Sequence, residues 1–448
     1  MSGPRANASR NAALAVVRRL QGAGFAAFWV GGCVRDSLLG REPEDYDIAT
    51  SALPEQIEAL FPRTIPVGRK FGVMVVIQGG RPFQVAAFRA EADYQDGRHP
   101  KRVAFGSAMA DACRRDFTVN GLFYDPVPGQ LHDWVGGAAD LRARVIRTIG
   151  QPAERFGEDH LRLLRAVRFA AQLDFTIERR TAAALKANAP KIRTISAERI
   201  RDELIKLFRP PHASRGLELL RRSGLLEQVL PEISATVTCA QSADFHPEGT
   251  VFNHLRLMLQ HLPATAHPSL PWAVLLHDVA KPITAATDPR TGSTHFYGHE
   301  KVGADLAAQI LQRLRFPGKQ SEGIVKAVRF HMQFKDALQM RKATLRRMLM
   351  RPTLPLELEL HRLDCLGSHS QLDVYDFLVA QARELEQQPQ IRPPLLTGDD
   401  LIALGMAPGP ALGALLAEIR EKQLQDELQT KADARKWARE RIAQASAG

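Results

Sequence analysis

The pattern of apolar and polar residues changes near residue 150. Before that point, a helical pattern is followed by short apolar runs rich in β-branched and aromatic residues, which are typical of buried strands. We predict a helix over Ala12–Leu20 and strands at Ala26–Val30, Val73–Ile77 and Phe83–Phe88. The first third of the chain is therefore expected to be a mixed α and β region.

From about Pro152 onward, apolar residues recur at helical spacing almost throughout. We predict helices over Glu158–Ala171, Glu178–Ala189, Ala197–Leu207 and Ser214–Leu230, a turn-rich linker over 231–250, and a second helical block from Val251 to about Gln387 that contains a loop over Pro282–Gly298. Pro393-Pro394 marks a further joint. The expected domains are therefore 1–150, 151–235, 245–387 and 393–448.

Composition narrows the class of protein. Of the 448 residues, 45% are apolar and 24% charged, the balance of an ordinary globular protein. No apolar run approaches the ~18 residues of a membrane-spanning helix, so no membrane partner is expected. The four cysteines are far apart and form neither a disulfide framework nor a CxxC zinc site, which fits a reducing cytoplasm.

The charge balance favours a polyanionic partner. Lys and Arg outnumber Asp and Glu by 60 to 49, which gives a net charge of +11. Residues 155–211 hold 13 of the cations and 7 of the acids, more than half of the surplus. Nucleic acid is the commonest soluble polyanion, and this segment is the expected contact with it.

Chemistry is concentrated at the end of the first predicted strand. Gly31 and Gly32 follow Val30, and two glycines at a strand end allow the backbone to approach a phosphate closely. If Asp45 and Asp47 lie on a strand, both carboxylates point to the same face and can share divalent ions. An Asp-x-Asp pair is usually only a solvated turn, so the glycines upstream strengthen the functional interpretation.

The order of several motifs resembles the class II tRNA nucleotidyltransferases and bacterial poly(A) polymerases. The resemblance covers residues 12–230 and rests on FWVGGCVRDSLLG, EDYDIATSALPE, VGRKFGVMVVI, RRDFTVNGLFYDP and RFGEDHLRLLRAVRFAAQLDF. It implies an α+β fold, in which a polymerase-β-like nucleotidyltransferase head with a small mixed sheet is followed by an all-α neck and body. It also implies Mg²⁺ as cofactor, and tRNA, CTP and ATP as partners.

The resemblance also implies roles for particular residues. Asp45 and Asp47 match the catalytic metal-binding carboxylates. Gly31, Gly32 and Arg35 match the triphosphate-binding segment, Arg114, Arg115 and Asp116 match the ribose motif, and Asp159 and Arg162 match the pair that selects the base, with Arg165 in support. Chemically, an Asp accepts from the exocyclic amine that cytosine and adenine share, and an Arg donates to ring acceptors.

Two features bear on which reaction is catalysed. Gln84 stands where relatives commonly carry an acid, so an accessory metal role there would be weakened. The Phe71-Gly72 sequence resembles tRNA nucleotidyltransferases rather than poly(A) polymerases, and the segment Asp93–Pro100 resembles a loop that enzymes adding the final A retain and C-only relatives lack or change. We therefore favour CCA addition, with an A-adding tRNA nucleotidyltransferase or a poly(A) polymerase as the alternatives.

The second helical block carries a separate set of potential metal ligands: His254, His277, Asp278, His299, His331 and Asp364. An adjacent His and Asp at the end of an apolar helix is costly unless the pair binds something. Their order resembles an HD domain, which implies Ni, Mn, Zn or Fe and a phosphohydrolase activity. Two alternatives stay open: a retained fold that helps to hold tRNA, and a phosphohydrolase whose head serves to bind RNA. The sequence leaves the oligomeric state open.

Overall fold

The computed structural model describes residues 4–90, 104–242, 246–291, 293–387 and 393–447, apart from the side chains of 4–6, Lys70 and 445–447. The segment Asp93–Pro100, which resembles the loop of enzymes that add the final A, lies outside these residues. The chain divides into two compact units, Met1–Ser234 and Ala235–Gly448. The predicted division into four domains stays a prediction.

Thirteen strands occur in the described residues. They are β1 Ala27–Val30, β2 Asp47–Thr50, β3 Thr64–Gly68, β4 Val73–Gln78, β5 Arg81–Ala87, β6 Arg89–Ala90, β7 Ala104–Phe105, β8 Phe123–Asp125, β9 Gln130–His132, β10 Val145–Ile146, β11 Thr176–Ile177, β12 Ala286–Thr287 and β13 Thr294–His295.

Twelve helices begin among the described residues of the first unit. They are α1 Pro4–Gly22, α2 Gly32–Leu38, α3 Pro54–Leu60, α4 Ala108–Cys113, α5 Gly137–Ala143, α6 Pro152–Glu158, α7 Leu161–Leu173, α8 Arg179–Asn188, α9 Ala197–Leu207, α10 Ala213–Arg222, α11 Leu225–Val229 and α12 Pro231–Ala235.

Eleven helices follow among the described residues of the second unit. They are α13 Val251–Gln260, α14 Leu270–Leu276, α15 Lys281–Thr284, α16 His299–Arg313, α17 Gly318–Phe330, α18 Lys342–Leu349, α19 Leu354–Gly367, α20 Asp373–Glu386, α21 Gly398–Ile402, α22 Pro410–Leu424 and α23 Lys431–Ala447.

A seven-stranded mixed sheet forms the centre of the first unit, in the order β3-β4-β5-β2-β1-β8-β9. Strands β2 and β5 are parallel, and the other neighbours are antiparallel. Val30 at the end of β1 pairs with Asp47 at the start of β2. This register brings the two glycines after β1 beside the predicted catalytic carboxylate.

Alternation along β5 separates the core from an open face. Phe83, Val85 and Ala87 are buried, whereas Gln84 is exposed, because successive side chains of a strand point to opposite faces. A second cluster of buried side chains packs on the opposite face, because Ala49 pairs with Ala86 and Val30 pairs with Asp47: Val30, Ala49, Phe88, Ala112 and Phe123. Asp47 and Gln84 lie on this second face, beside the cluster, where they line a cavity.

In the part of the second unit that the structure describes, the named elements are helices apart from the β12–β13 hairpin. One apolar core includes Phe334, Leu378 and Leu424, and another, built from α21–α23 and the segment before them, includes Leu401 and Ile419. None of the helices in the described residues is long and apolar enough to cross a membrane.

The predicted α+β fold is confirmed, with four local corrections. The segment after the head carries a short parallel pair, β10–β11, so it is not purely helical. The helix predicted over Ser214–Leu230 is broken at Gly224, whose φ of 74° ends a helical path. The predicted linker over 231–250 contains α12, and the loop predicted over Pro282–Gly298 contains most of α15 and both strands of the hairpin.

Candidate functional site

One cavity in the first unit collects the residues that the head and neck motifs single out. Its volume is about 640 Å³. The residues predicted to bind the nucleotide and its metal ions all line it: Gly31, Gly32, Arg35, Asp45, Asp47, Arg114, Arg115, Asp116, Asp159, Arg162 and Arg165. Gln84 lines it too, together with Asn120, Arg168, Phe169 and Lys206, to which the sequence assigned no role in the site.

The two predicted catalytic carboxylates line the cavity, one from a strand and the other from the loop before it. Asp47 begins β2, but Asp45 precedes the strand, so the condition that one strand carries both carboxylates is not met. Burial raises the pKa of Asp47 to about 6, the charge of Asp45 adds to the rise, and Arg115 opposes it. Two carboxylates that repel each other fit a divalent cation, because its charge would remove the repulsion.

The glycine segment and Arg35 form the adjoining wall. Gly31 has a φ of 71°, and a Cβ there would lie 3.2 Å from Nη1 of Arg115, so the turn and the close approach both favour glycine. Nε of Arg35 donates to Asp36 (2.8 Å) and its Nη1 donates to Oδ1 of Asn120 (2.7 Å). The guanidinium is thereby held in place before any substrate binds.

Asp116 is fixed by a buried network. Its Oδ1 accepts from the amide of Phe117 (2.8 Å) and from Asn120 (3.1 Å), and its Oδ2 accepts from Nε of Arg165 (2.8 Å). Burial alone would raise the pKa of Asp116, but the Arg165 charge and the hydrogen bonds outweigh it and lower the pKa to about 2. Asp116 is therefore ionised and acts as an acceptor at neutral pH.

Asp111, which the sequence did not single out, anchors the arginine pair of the ribose motif. It is 1% exposed. Its Oδ1 accepts from Nε of Arg114 (2.8 Å), and its Oδ2 accepts from Nη2 of Arg115 (3.0 Å). No local pattern marks this role, because an Asp in a short helix is usually solvated.

The predicted helix over Glu158–Ala171 is wrong at its start. Helix α6 ends at Glu158, Asp159 is extended (φ −143°, ψ 106°), and α7 begins at Leu161. Oδ1 of Asp159 accepts from the amide of Leu161 (3.1 Å), and its Oδ2 accepts from Arg199 (3.0 Å). Asp159 therefore lies at a joint between two helices rather than in one row with the arginines of α7.

Arg162 is positioned by groups from both sides of that joint. It pairs with Glu158 and donates to the main-chain oxygens of Arg155 (3.0 Å) and Arg114 (3.1 Å). The last of these contacts links the proposed base-selecting arginine to the ribose motif. A nucleotide in the cavity would meet both motifs in a fixed relation.

Phe169 is a shared platform for three arginines. The guanidinium carbons of Arg35, Arg165 and Arg168 lie 5.3, 5.2 and 4.0 Å from the centre of its ring. A cation over an aromatic face is attracted by the ring quadrupole. Nε of Arg168 also donates to the buried carboxylate of Glu203 at 2.6 Å.

The positive charge of residues 155–211 is mostly neutralised around the cavity, where arginines of α7 and α9 pair with acids. A different part of the segment keeps its charge exposed. Five cations on α8 and the turn after it are exposed and have no acid partner within the described residues: Arg179, Arg180, Lys186, Lys191 and Arg193. This surface, rather than the whole segment, suits a phosphate backbone.

In the second unit, the predicted metal ligands converge from five helical segments. His254 lies in α13, His277 directly follows α14, His299 begins α16, His331 directly follows α17, and Asp364 lies in α19. Nε2 of His254 is 3.0 Å from Oδ1 of Asp364, and Nε2 of His277 is 3.2 Å from Oδ2 of Asp278. Nε2 of His299 is 3.3 Å from Oδ1 of Asp278 and 3.2 Å from Nε2 of His331.

Orientation shows that this cluster suits a cation. Nε2 of His254 and of His277 are buried and make no hydrogen bond within the described residues, although carboxylate oxygens lie close by. Nδ1 of His277, His299 and His331 donates to main-chain oxygens at 2.8, 2.7 and 2.6 Å, which turns each Nε2 inward. Nitrogen and oxygen atoms that lie close together without being aligned for a hydrogen bond are typical of two ligands of one metal ion.

Four further residues surround this cluster, and the sequence did not single them out. Oε1 of Glu248 is 2.9 Å from Nδ1 of both His246 and His254. Nζ of Lys281 donates to Oε1 of Gln241 (2.6 Å) and is 2.7 Å from Oδ2 of Asp278. Although burial opposes it, the neighbouring carboxylates of Asp364 and Glu248 raise the pKa of His254 to about 10. A cation in the cluster would offset this carboxylate charge.

Comparison with known families assigns a description to three parts of the chain. Residues 27–147 match the model described as the poly A polymerase head domain. Residues 174–236 match the probable RNA and SrmB-binding site of polymerase A, and residues 250–366 match the HD domain.

Individual proteins extend the similarity to the whole chain. An A-adding tRNA nucleotidyltransferase of Deinococcus radiodurans is 35% identical over 433 residues, covering 92% of this chain and 95% of the relative. A CCA-adding enzyme of Geobacillus stearothermophilus is 45% identical over 214 residues, or 48% of this chain and 53% of the relative. The chain thus spans about half the length of several curated relatives that it matches.

Among solved structures, the Bacillus stearothermophilus CCA-adding enzyme in complex with CTP superimposes with a TM-score of 0.76 at 28% identity. The match covers 99% of both chains.

Proposed function

Since the chain belongs to the class II tRNA nucleotidyltransferase and poly(A) polymerase family, we propose that it adds CMP and AMP to the 3′ end of tRNA without a nucleic-acid template. The cytoplasm is the proposed compartment. One observation carries the proposal: a single cavity joins the carboxylate pair, the glycine segment and the Asp159–Arg162 pair. Carboxylates alone would indicate only a metal site, whereas their combination with base-reading groups indicates transfer of a chosen nucleotide.

Asp45 and Asp47 are the proposed holders of Mg²⁺. When bound, divalent cations in such a site activate the attacking hydroxyl and neutralise charge on the triphosphate. The chain itself contributes Arg35 and the glycine backbone to the phosphates, and ionised Asp116 as an acceptor for a ribose hydroxyl. Gln84 is a neutral cavity neighbour, so we assign it no direct metal contact.

Base choice is assigned to Asp159 and Arg162. The side-chain oxygens of Asp159 accept from the exocyclic amine of cytosine or adenine, and Arg162 donates to ring acceptors. Uracil and guanine present other donor and acceptor patterns to the same pair. Arg165 acts through Asp116, to which it donates at 2.8 Å, and so supports the ribose contact.

The domain roles follow from these positions. We assign nucleotidyl transfer to residues 1–150, nucleotide and tRNA contact to 151–235, a metal-binding HD-like domain to 245–387, and a helical tail to 393–448. The exposed cations of α8 and the following turn support the tRNA contact. Residues 174–236, which match an RNA-binding model, include all five of them.

The decisive experiment offers the purified chain tRNAs that end before CCA, after C and after CC, each with CTP or ATP alone and with both. Completion of CCA on the shortest tRNA supports the proposal. Addition of A only to the CC end would identify an A-adding enzyme, and a long A tail would identify a poly(A) polymerase. The double variant Asp45→Ala/Asp47→Ala should add nothing, whereas the exposed-site control Asp202→Asn should retain activity.

A second candidate function belongs to the HD-like domain. The inward, unpartnered Nε2 atoms of His254 and His277 favour a bound transition metal, with Asp278 and Asp364 as carboxylate ligands. His299 and His331 offer a further group of ligands with Asp278. Such an ion would supply Lewis-acid activation for hydrolysis of a phosphate ester.

This candidate is tested separately from nucleotide addition. Protein dialysed against Ni²⁺, Mn²⁺ or Zn²⁺ is assayed for retained metal and for hydrolysis of nucleoside 2′,3′-cyclic phosphates. Metal retention with hydrolysis supports a phosphohydrolase. Retention without hydrolysis supports a structural metal in a domain that helps to hold tRNA, and failure to retain any metal removes both interpretations.

A further inference from the structure

A second cavity in the first unit lies beside the loop that carries the catalytic carboxylates. Its volume is about 490 Å³, the size of a small-ligand site. Tyr46 lines this cavity, whereas its chain neighbours Asp45 and Asp47 line the catalytic cavity. The two cavities share no lining residue, so a ligand in one leaves the other free.

Aromatic rings form the buried part of this second cavity. Trp29 and Tyr46 are 5% and 7% exposed, and their ring centres lie 4.8 Å apart at 61°. Tyr124 lies 6.0 Å from Trp29. The Nε1–H of Trp29 is buried and has no acceptor within the described part of the chain. The parts of these rings that line the cavity offer a ligand ring an aromatic contact.

The rim of the cavity is basic. Arg10 of α1 and Arg41 of the loop are both exposed. Arg10 has no acid partner among the residues with described side chains, and Arg41 donates only to the main-chain oxygen of Gln172, at 3.4 Å. Glu42 is the one acid among the lining residues. Two available guanidinium groups above an aromatic floor suit an anion that carries a ring.

We propose that this cavity binds a nucleoside phosphate other than the nucleotide being added. Its base packs against Trp29 and Tyr46, and its phosphate pairs with Arg10 and Arg41. A free nucleotide and one nucleotide of an RNA chain share this chemistry. Because Tyr46 stands between Asp45 and Asp47 in sequence, an occupied cavity would restrict the loop that sets the catalytic carboxylates. The site itself does not require that the proposed tRNA reaction be correct.

Photo-crosslinking tests the location directly. The full chain is irradiated in EDTA, without a competing nucleotide, and with either azido-AMP or a short RNA that contains thiouridine. Labelled peptides are mapped by mass spectrometry. The variant Arg10→Ala/Arg41→Ala removes the rim charges, and Arg18→Ala/Arg63→Ala is the matched control, since both control arginines are exposed in the same unit and line neither cavity.

We expect saturable label on the Tyr46 or Tyr124 residue itself, assigned by tandem mass spectrometry because Tyr46 shares its peptide with Asp45 and Asp47. The label should weaken about tenfold in the rim variant and stay unchanged in the control, since one lost charged contact is worth about a factor of ten or more. Label from azido-AMP alone assigns the site to free nucleotide, and label from RNA alone assigns it to an RNA chain. Label confined to the catalytic cavity, or equal label in both double variants, overturns the proposal.

Nucleotide addition is measured on the same preparations, and their thermal unfolding verifies that the variants are folded. Label at Tyr46 in a protein that adds no nucleotide to tRNA would uphold this cavity and refute the proposed function. Nucleotide addition to tRNA without label at this cavity would support the proposed function and refute the cavity as a binding site.

Discussion

Replacing Asp47 by Asn should stabilise the metal-free protein while it abolishes nucleotide addition. Burial, with the nearby charge of Asp45, raises the pKa of Asp47 from 3.8 to about 6. The folded state therefore holds the proton more tightly than the unfolded state, and it pays a free-energy cost when Asp47 is ionised. A shift of about two pKa units corresponds to about 3 kcal/mol.

The sign of the pH dependence follows from the raised pKa. Below about pH 4 the carboxyl is protonated in both states, so ionisation costs the folded state nothing. The stability given by the raised pKa is lost as the pH rises through about 6, and above that value the full cost applies. Asn carries no charge at any pH. The variant should therefore gain about 3 kcal/mol at pH 8 and about half of that at pH 5.

Urea unfolding of the full chain in EDTA, at pH 5 and pH 8, measures the gain. Asp202→Asn is the control, because that side chain is 55% exposed and its loss should change stability little at either pH. Adding Mg²⁺ should narrow the gap, since a cation bound by the wild type stabilises only the protein that keeps both carboxylates. A variant that is equally or less stable than the wild type at pH 8 would refute this account of the carboxylate pair.

Four further outcomes are expected. Asp159→Ala should raise UTP use relative to CTP about tenfold or more in single-nucleotide addition assays, because one side of the base contact is lost; unchanged selectivity would remove Asp159 from base choice. Glu203→Gln should lower the free energy of unfolding by about 3 kcal/mol in urea titrations, because Arg168 is then buried without a counter-charge; a loss near zero would show that the pair contributes little. His277→Ala should reduce Ni²⁺ retention, measured by elemental analysis after dialysis, while CCA addition continues; full retention would place the metal elsewhere. Affinity for tRNA should fall steeply between 50 and 200 mM salt in filter binding, and an affinity independent of salt would contradict phosphate contact by the exposed cations.

The sequence predicts the elements whose pattern is local. The strand at Val73 and the helix over Ala197–Leu207 are confirmed, because burial of a short apolar run and a helical apolar stripe are visible in the residues themselves. The break at Asp159 is not visible in that way. It depends on a side-chain bond to the amide of Leu161 and on Arg199, which arrives from a later helix.

The candidate site also contains some residues that the sequence identifies and others that only the fold reveals. Chemically distinctive residues such as Asp45 and His277 stand out by type and spacing, and their motifs give a reason to group them. Asp111 and Glu248 stand out in no comparable way. Their importance comes from contacts with arginines or histidines that only the folded chain establishes.

The nucleotide cavity depends on the ring of Phe169, although this side chain has no group that can form a hydrogen bond with a nucleotide. One phenyl ring contacts an arginine from α2 and two from α7, which serve different parts of a nucleotide. Shortening that one side chain would loosen three cationic contacts at once, and restoring any single charge could not repair them. A mutation of Phe169 should therefore impair nucleotide binding. Another aromatic residue at this position should restore binding, whereas a new polar residue should not.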